Sequence, residues 1–302
     1  MVGVVTVTDT EVEKYASYCS KEICRANLIY MRDKETMAIH AWNKLHPENK
    51  LFNPHQDFVD VVNWWKKQPQ STVEELHALL VAFDKDLTFT TNKIEGVDLQ
   101  TSFIADIYCT GCVTNYTGSI KNLILIENHK QAFMKMLDCV IGNESITTTL
   151  IKHFHNLIMS GCYSDELVQK GERPGCYKKG DYVIGREEYG SLPHDVSGDM
   201  IDLVQQIDEV KGGLPHVIAA LIHCNFELIH PFADGNGRVG RMLMNYYLLT
   251  KKCPPILIFP EDKELYYESI DWFSRELNLV PIVNFIERQT VKTWKQTMGG
   301  IS

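Results

Sequence analysis

Basic residues are outnumbered in this chain, and the shortage excludes a class of functions. The 302 residues include 30 Lys and Arg against 39 Asp and Glu, which gives a formal net charge of −9. Nucleic acids and acidic membranes are bound through basic surfaces, so this balance argues against both as general partners. A local basic pocket remains compatible with it.

Long apolar segments are also missing. No apolar run approaches the roughly 18 residues that a membrane-spanning helix needs. The N-terminal segment lacks the basic start and apolar core of a secretory signal. The nine cysteines are an odd number with irregular spacing, as is typical of reduced thiols. We therefore expect a cytoplasmic protein.

The periodicity of the apolar residues predicts a mainly α fold. Apolar side chains recur at three- and four-residue steps, the pattern of amphipathic helices. The segments with this pattern are 73–83, 119–140, 146–159, 199–210, 215–229 and 240–249. One stretch, 177–185, differs, since glycine turns flank short β-formers, and it predicts a small attached hairpin.

The backbone of segment 230–241, with the sequence HPFADGNGRVGR, has the features of an anion-binding loop. Pro231 disfavours helical geometry in the preceding residue, so a helix should end just before His230. The glycine-asparagine-glycine run 235–237 tolerates positive φ, so successive N–H groups can converge into a nest for anions. A helix beginning near Arg238 would direct its positive N-terminus to the same point.

The side chains of this segment suit phosphate chemistry. Arg238 and Arg241 are three residues apart on one helix face, and two guanidiniums indicate more than one phosphate. Asp234 offers a hard oxygen ligand for Mg²⁺. A histidine titrates near neutral pH, so His230 suits the role of general base. Phe232 should point inward and pin the loop.

The whole segment resembles the motif of the Fic family, H-P-F-x-D/E-G-N-G-R-x-x-R, at each defined position. The resemblance extends over roughly residues 88–285, and the first 85 residues match no family that we can name. It implies a Fic-type helical bundle with a β-hairpin flap. The implied divisions are a helical N-terminal extension (1–85), a Fic core (86–290) and a C-terminal tail (291–302). Within the core lie an inhibitory helix (88–96), the flap hairpin (176–194) and the catalytic loop (230–241).

The resemblance implies an adenylyltransferase. Such an enzyme moves AMP from ATP to a Ser, Thr or Tyr hydroxyl of a target protein and releases pyrophosphate. His230 would deprotonate the hydroxyl, and Asp234 would hold Mg²⁺ between the α and β phosphates. The phosphate ligands would be Gly235, Asn236, Gly237, Arg238 for the β phosphate and Arg241 for the γ phosphate. Relatives that phosphorylate instead replace the GNGR element, so its presence here favours AMP transfer.

Two further contacts follow from the resemblance. Tyr266 and Tyr267 lie where the family contacts adenine; Tyr267 is our first candidate, and core packing of both tyrosines is the alternative. The flap would bind the target backbone by strand addition, a sequence-tolerant mode. Its residues here are Val183, Ile184 and Gly185. The identity of the target stays open, as do self-modification and homodimer formation.

Thr91 and Glu95 form a second candidate element. They share one face of a helix, with Gly96 as its C-cap. From these residues alone, a solvated helix end fits as well as a functional site. The resemblance adds the inhibitory pattern S/T-x-x-x-E-G/N, placed ahead of the core. It implies that Glu95 pairs with Arg241 and blocks the γ phosphate.

Three other functions fit parts of the sequence. Some relatives use the inhibitory glutamate to remove AMP from a modified target. A binding module would hold nucleotide without turnover. A di-iron bundle could use two Glu-x-x-His pairs, Glu74 with His77 and Glu227 with His230, although Pro231 ends the second helix at the ligand.

A lone CxxC, Cys109 to Cys112, lacks the two further ligands of a structural zinc site. We interpret it as two ordinary thiols.

Overall fold

The computed structural model describes residues 55–182, 190–209, 213–276 and 278–299. This part of the chain folds into α-helices with one 3₁₀ turn at Pro260–Asp262. The helices are α1 (His55–Trp65), α2 (Val73–Ile94), α3 (Thr101–Thr110), α4 (Ile120–Ile141), α5 (Thr148–Met159), α6 (Asp165–Gln169), α7 (Val196–Glu209), α8 (Pro215–Ile229), α9 (Asn236–Thr250), α10 (Lys263–Glu276) and α11 (Val280–Gly299).

The helices predicted from periodicity are present, and local sequence explains their starts. Four begin at a Ser or Thr whose hydroxyl oxygen accepts a backbone N–H of the first turn, which replaces a missing intrahelical partner. These caps are Thr72, Ser119, Thr147 and Ser164. Helix α2 is longer than the predicted 73–83, because its buried face continues to Ile94.

Helix α9 lies at the centre of the fold. It packs against α2, α4, α5 and α8, and all its residues from 238 to 249 are buried. Its crossing with α8 is close at Gly240, where a Cβ atom would lie 2.5 Å from Oε1 of Glu227. The first turns of α9 carry Arg238 and Arg241, so the fold brings two cations into its own interior.

An aromatic cluster joins the two ends of the described chain. The rings of Trp65 in α1 and Trp294 in α11 are 5.0 Å apart, and Phe83 of α2 stacks on Trp294 at 5.7 Å. The indole N–H of Trp294 donates to the carbonyl of Pro255 at 2.6 Å. The division of the chain at 85 and 290 stays a prediction, although both positions fall inside continuous helices.

The described parts of the predicted hairpin, 176–182 and 190–194, contain no strand. The backbone N–H of Lys178 donates to the carbonyl of Pro231 at 2.9 Å, and that of Ser191 donates to the carbonyl of Ile229 at 3.0 Å. These two N–H groups therefore donate to the catalytic loop and to the end of α8 instead of to carbonyls of a facing strand. The candidate flap residues Val183, Ile184 and Gly185 lie outside the described residues.

Among the described helices, none is both long and apolar enough to cross a membrane. The cysteines within the same ranges are free thiols. Cys109 lies in the last turn of α3 and Cys112 just after the helix, and both are exposed.

Candidate active site

His230 occupies the exit of α8 in a left-handed conformation. Its φ is 49°, and its N–H still donates to the carbonyl of Phe226 at 3.0 Å. Pro231 excludes right-handed helical geometry from the preceding residue, so the chain turns out of the helix here. A non-glycine residue in this region is strained, and such strain is common at functional sites.

The imidazole of His230 is neutral at physiological pH. Burial, with a smaller effect from the charge of Lys178, lowers its pKa to about 4, and Glu95 opposes both effects. Its Nδ1 atom is buried and has no hydrogen-bond partner among the described residues. A neutral imidazole can accept a proton, as a general base must.

The catalytic loop is braced by Asn236 and Phe232. The amide of Asn236 accepts from the N–H of Phe232 at 2.9 Å and donates to its carbonyl at 2.8 Å. The side chain of Asn236 is buried and hydrogen-bonded within the loop, so the predicted phosphate contact of Asn236 would be made by its backbone N–H. The ring of Phe232 points inward, as predicted, and is fully buried.

His155 of α5 supports the loop from behind, and the sequence analysis missed it. Its ring stacks on Phe232 with centroids 3.7 Å apart and planes at 8°. Nδ1 accepts from the N–H of Gly175 at 2.8 Å, so Nε2 carries the proton and donates to the carbonyl of Asp234 at 2.9 Å. Burial lowers the pKa of His155 to about 4, which keeps this tautomer neutral.

Two glycines of the loop are required for different reasons. Gly235 has a φ of 84°, which begins the turn into α9. Gly237 has no room for a side chain, because a Cβ atom would contact Oε1 of Glu95 and lie 2.8 Å from Nη1 of Arg241. The first N–H groups of α9 have no intrahelical acceptor, so they can bind an anion.

Asp234 stands at the rim of the loop and is paired with Arg238. Its Oδ1 atom accepts from Nη2 of Arg238 at 3.1 Å, and its side chain is 45% exposed against 6% for the arginine. No group of three or more His, Cys, Asp or Glu side chains in the described ranges could hold a metal by itself. A single carboxylate nonetheless fits Mg²⁺, which commonly takes one or two carboxylates together with substrate phosphates.

Arg241 is clamped by the last turn of α2. Its Nε donates to the hydroxyl of Thr91 at 2.8 Å, and its Nη2 donates to Oε1 of Glu95 at 2.7 Å and to the carbonyl of Thr91 at 3.1 Å. The predicted pair of Glu95 and Arg241 is thus present in the structure. It lies in a pocket, since the arginine side chain is 2% exposed and the glutamate 27%.

The end of α2 is fixed by its backbone. Gly96, with a φ of 79°, donates its N–H to the carbonyl of Lys93, and Val97 donates to the carbonyl of Asn92. This pair of bonds is the Schellman motif. It places Glu95 facing Arg241.

Charge keeps Glu95 ionised despite its surroundings. Burial opposes ionisation, but the guanidinium of Arg241, with smaller effects from Arg238 and Lys263, holds the pKa of Glu95 below its usual range. The clamp is therefore a charge-assisted pair at neutral pH.

The two candidate adenine contacts differ in exposure. Tyr266 is fully buried, and its hydroxyl is 2.7 Å from Nε2 of His223. Tyr267 is 42% exposed, and its ring lies 5.1 Å from that of Tyr266. Core packing therefore accounts for Tyr266, whereas Tyr267 presents a face to solvent.

The di-iron alternative is wrong. Glu227 is close to Arg241 and Glu95, which both act on its pKa. Glu74 is in the first turn of α2 and Glu95 caps the other end, so roughly 30 Å of helix separates them at 1.5 Å per residue. The two Glu-x-x-His pairs therefore cannot share a metal.

Two further residues beside the site were also missed. His129 of α4 is 1% exposed, and neither of its ring nitrogens has a hydrogen-bond partner among the described residues. Burial and the charges of Arg238 and Arg241 lower the pKa of His129 to about 3. Lys178 is 2% exposed and acts on His230. His129 interrupts an apolar helical stripe between Ile126 and Phe133, a pattern that could have drawn attention to it.

Comparison with known proteins gives similarities of three kinds: to a family model, to curated relatives and to a solved structure. Residues 145–248 match the model of the Fic/DOC family. A protein adenylyltransferase Fic from Nematostella vectensis is 39% identical over 79 residues, covering 26% of this chain and 18% of the relative. A protein of the same name from Drosophila mojavensis is 37% identical over 125 residues, covering 39% and 24%. The matched part thus spans about a quarter or less of these curated relatives.

The third similarity is to a solved structure, a Fic domain containing signaling protein from Bacteroides thetaiotaomicron. The TM-score is 0.69 with 22% identity, over 78% of this chain and 93% of that one. At this identity the likeness concerns the fold, and it confirms the mainly α architecture.

Proposed function

This chain is a member of the Fic family, and from that premise we propose that it transfers AMP from ATP to a hydroxyl side chain of a protein. The observation that carries the proposal is the convergence of neutral His230, the N-terminus of α9 and two buried arginines on one loop. These groups together provide a base and a cationic cradle, the two requirements of such a transfer.

In the proposed reaction, the target hydroxyl oxygen forms a bond to the α phosphorus. The bond between that phosphorus and the oxygen bridging to the β phosphate breaks, and pyrophosphate leaves. The hydroxyl proton passes to His230. The N–H groups of Gly235, Asn236 and Gly237, together with Arg238, would hold the phosphates while this occurs.

Asp234 is our candidate ligand for Mg²⁺. The ion would neutralise phosphate charge and supply electrostatic stabilisation when bound. Its buried partner Arg238 would turn from the carboxylate towards a β-phosphate oxygen. His155 keeps the backbone of Asp234 in place during this exchange.

Glu95 would inhibit the transfer by occupying Arg241. The same guanidinium is our candidate for binding the γ phosphate, so ATP and Glu95 would compete for it. Tyr267 would stack on or donate to the adenine, since it is the more exposed of the two candidate tyrosines.

The test is transfer from radiolabelled ATP, with wild-type protein and Glu95→Gly. Label from the α phosphate should appear on protein, either on an added target or on the chain itself. Transfer of γ label without α label would rule out AMP transfer in favour of phosphorylation.

Removal of AMP from a modified target is a second candidate function. It is favoured by the effect of Glu95 on the pKa of His230, which means that the Glu95 carboxylate is close enough to act on the same reacting centre. An AMP-modified target incubated with wild type and Glu95→Gly distinguishes the two. If the target loses AMP with wild type but not with Glu95→Gly, the result would support removal of AMP as the function.

A further inference from the structure

Lys178 is a buried cation that the proposed chemistry does not use. Its side chain is 2% exposed, and its ammonium has no hydrogen-bond partner among the described residues. A desolvated ammonium without an anion is strongly unfavourable. Burial accordingly lowers the pKa of Lys178, and Asp181 raises it by less. A bound anion would therefore stabilise the ammonium of Lys178 at this point of the site.

The position of Lys178 is fixed relative to the base. Its backbone N–H donates to the carbonyl of Pro231, the residue after His230, at 2.9 Å. The segment is held in turn by buried Glu172, whose Oε1 accepts from the N–H groups of Lys179 and Gly180 and from a tyrosine hydroxyl. The backbone that carries Lys178 is thus fixed against the catalytic loop, and the charge of its ammonium acts on His230.

We propose that Lys178 is a phosphate ligand of this site, and that its ammonium pairs with a nonbridging oxygen of the α phosphate of ATP. The proposal rests on the AMP transfer proposed above. Arg238 and Arg241 would hold the β and γ phosphates, which leaves the α phosphate to Lys178, the cation whose charge acts on the base. A positive charge there reduces the repulsion between that phosphate and the incoming oxygen, and it does so without changing which bonds form or break.

Two small ligands separate this role from those of the arginines, because AMP carries only the α phosphate and pyrophosphate only the other two. Lys178→Met should weaken AMP binding by about tenfold or more, as expected for loss of a charge-assisted contact, and leave magnesium pyrophosphate binding unchanged. Lys178→Arg should restore AMP binding. Lys179→Met, at the exposed neighbouring lysine, should leave it unchanged.

Stability distinguishes a ligand from a structural lysine. Since the charge is buried and unpaired, Lys178→Met should keep or raise the thermal unfolding midpoint. A lower midpoint with weaker binding of both ligands would mean that Lys178 merely supports the fold, and would overturn the proposal. Unchanged AMP affinity would overturn it as well.

Catalysis gives a second readout in the Glu95→Gly background. Lys178→Met should lower kcat for transfer of α label, and it should move the acid limb of the pH profile upward, because His230 loses a neighbouring cation. Transfer equal to that of the Glu95→Gly parent would contradict the inference while leaving AMP transfer intact. If the parent itself transfers no AMP, the proposed function fails, and the AMP and pyrophosphate affinities still decide the role of Lys178.

Discussion

Oε1 of Glu95 lies 2.7 Å from Nη2 of Arg241, although the two residues are 146 positions apart in the sequence. The contact joins the last turn of α2 to the first turns of α9. The side chain of Arg241 is buried and that of Glu95 is 27% exposed, which distinguishes the contact from the surface ion pairs among the described residues. A pair in such a pocket can hold a site closed, whereas an exposed pair is worth under about 1 kcal/mol.

Removal of Glu95 should activate the protein. If about one molecule in a hundred is open, the clamp is worth about 2.7 kcal/mol, and Glu95→Gly should raise AMP transfer on the order of a hundredfold. Thr91→Val should activate less, because the carbonyl of Thr91 and the carboxylate of Glu95 still accept from Arg241. Initial rates with α-labelled ATP measure both effects.

Asp98 provides the matched control. It lies just beyond Glu95 and pairs with Lys93 on the surface, so Asp98→Ala should leave transfer unchanged. Arg241→Ala should abolish transfer even in the Glu95→Gly background, because the clamp acts through that arginine. Equal rates for wild type and Glu95→Gly, on a target that the protein modifies, would make the pair purely structural.

His230→Ala should lower transfer by roughly 10² to 10⁴ with little change in ATP affinity, as expected for loss of a general base. The pH profile of kcat/KM should be flat near neutrality and fall only below about pH 5, because a base with a pKa of about 4 loses its acceptor there by protonation. His153→Ala, at an exposed histidine of α5, is the control. An acid limb near pH 6.5, the value of an unperturbed histidine, would contradict the neutral, buried state of His230.

Asp234→Asn should increase the Mg²⁺ concentration needed for transfer. The amide keeps the shape of the side chain but loses the charge that holds the ion. A titration of rate against Mg²⁺ at saturating ATP measures the shift, and high Mg²⁺ should restore part of the rate. An identical Mg²⁺ dependence in variant and wild type would remove Asp234 from the metal site.

Asp84, on α2 away from the clamp, should make stability pH-dependent. It accepts from the hydroxyl of Tyr108 at 2.9 Å, and burial raises its pKa to about 8. Between the unfolded value of about 3.9 and pH 8, the folded state therefore holds a proton that the unfolded state has lost, and stability falls as pH rises through this window. The slope from this group is at most about 1.4 kcal/mol per pH unit.

The variant Asp84→Asn should remove that slope. Chemical denaturation of wild type and variant at pH 5, 6, 7 and 8 gives the difference in unfolding free energy at each pH. Asp86→Asn changes a more exposed carboxylate on the same helix; burial raises the pKa of Asp86 too, but by less, so this variant should alter the slope less. Parallel curves for wild type and Asp84→Asn would show that Asp84 is ionised in the folded protein.

The helices and the catalytic loop could be predicted from the sequence because their determinants are local. A proline after His230, glycines at 235 and 237 and a periodic apolar pattern each act within a few residues. The pairing of Glu95 with Arg241 is not local, and only the family resemblance indicated it. The positions of His155 and Lys178 beside the site could not be predicted, because a single buried histidine or lysine belongs to no recognisable sequence pattern. The hairpin was predicted from turn chemistry alone, without the competing acceptors at Pro231 and Ile229.

The continuity of α2 determines which state the chain reaches by folding alone. Leu76, Leu80 and Phe83 of this helix are part of the main core, while its last turn carries Glu95 to Arg241. Packing this helix into the core thus places the carboxylate of Glu95 against the guanidinium of Arg241. On the inhibition that we propose, the folded chain is inactive until something competes with Glu95 for Arg241 or loosens the final turn of α2.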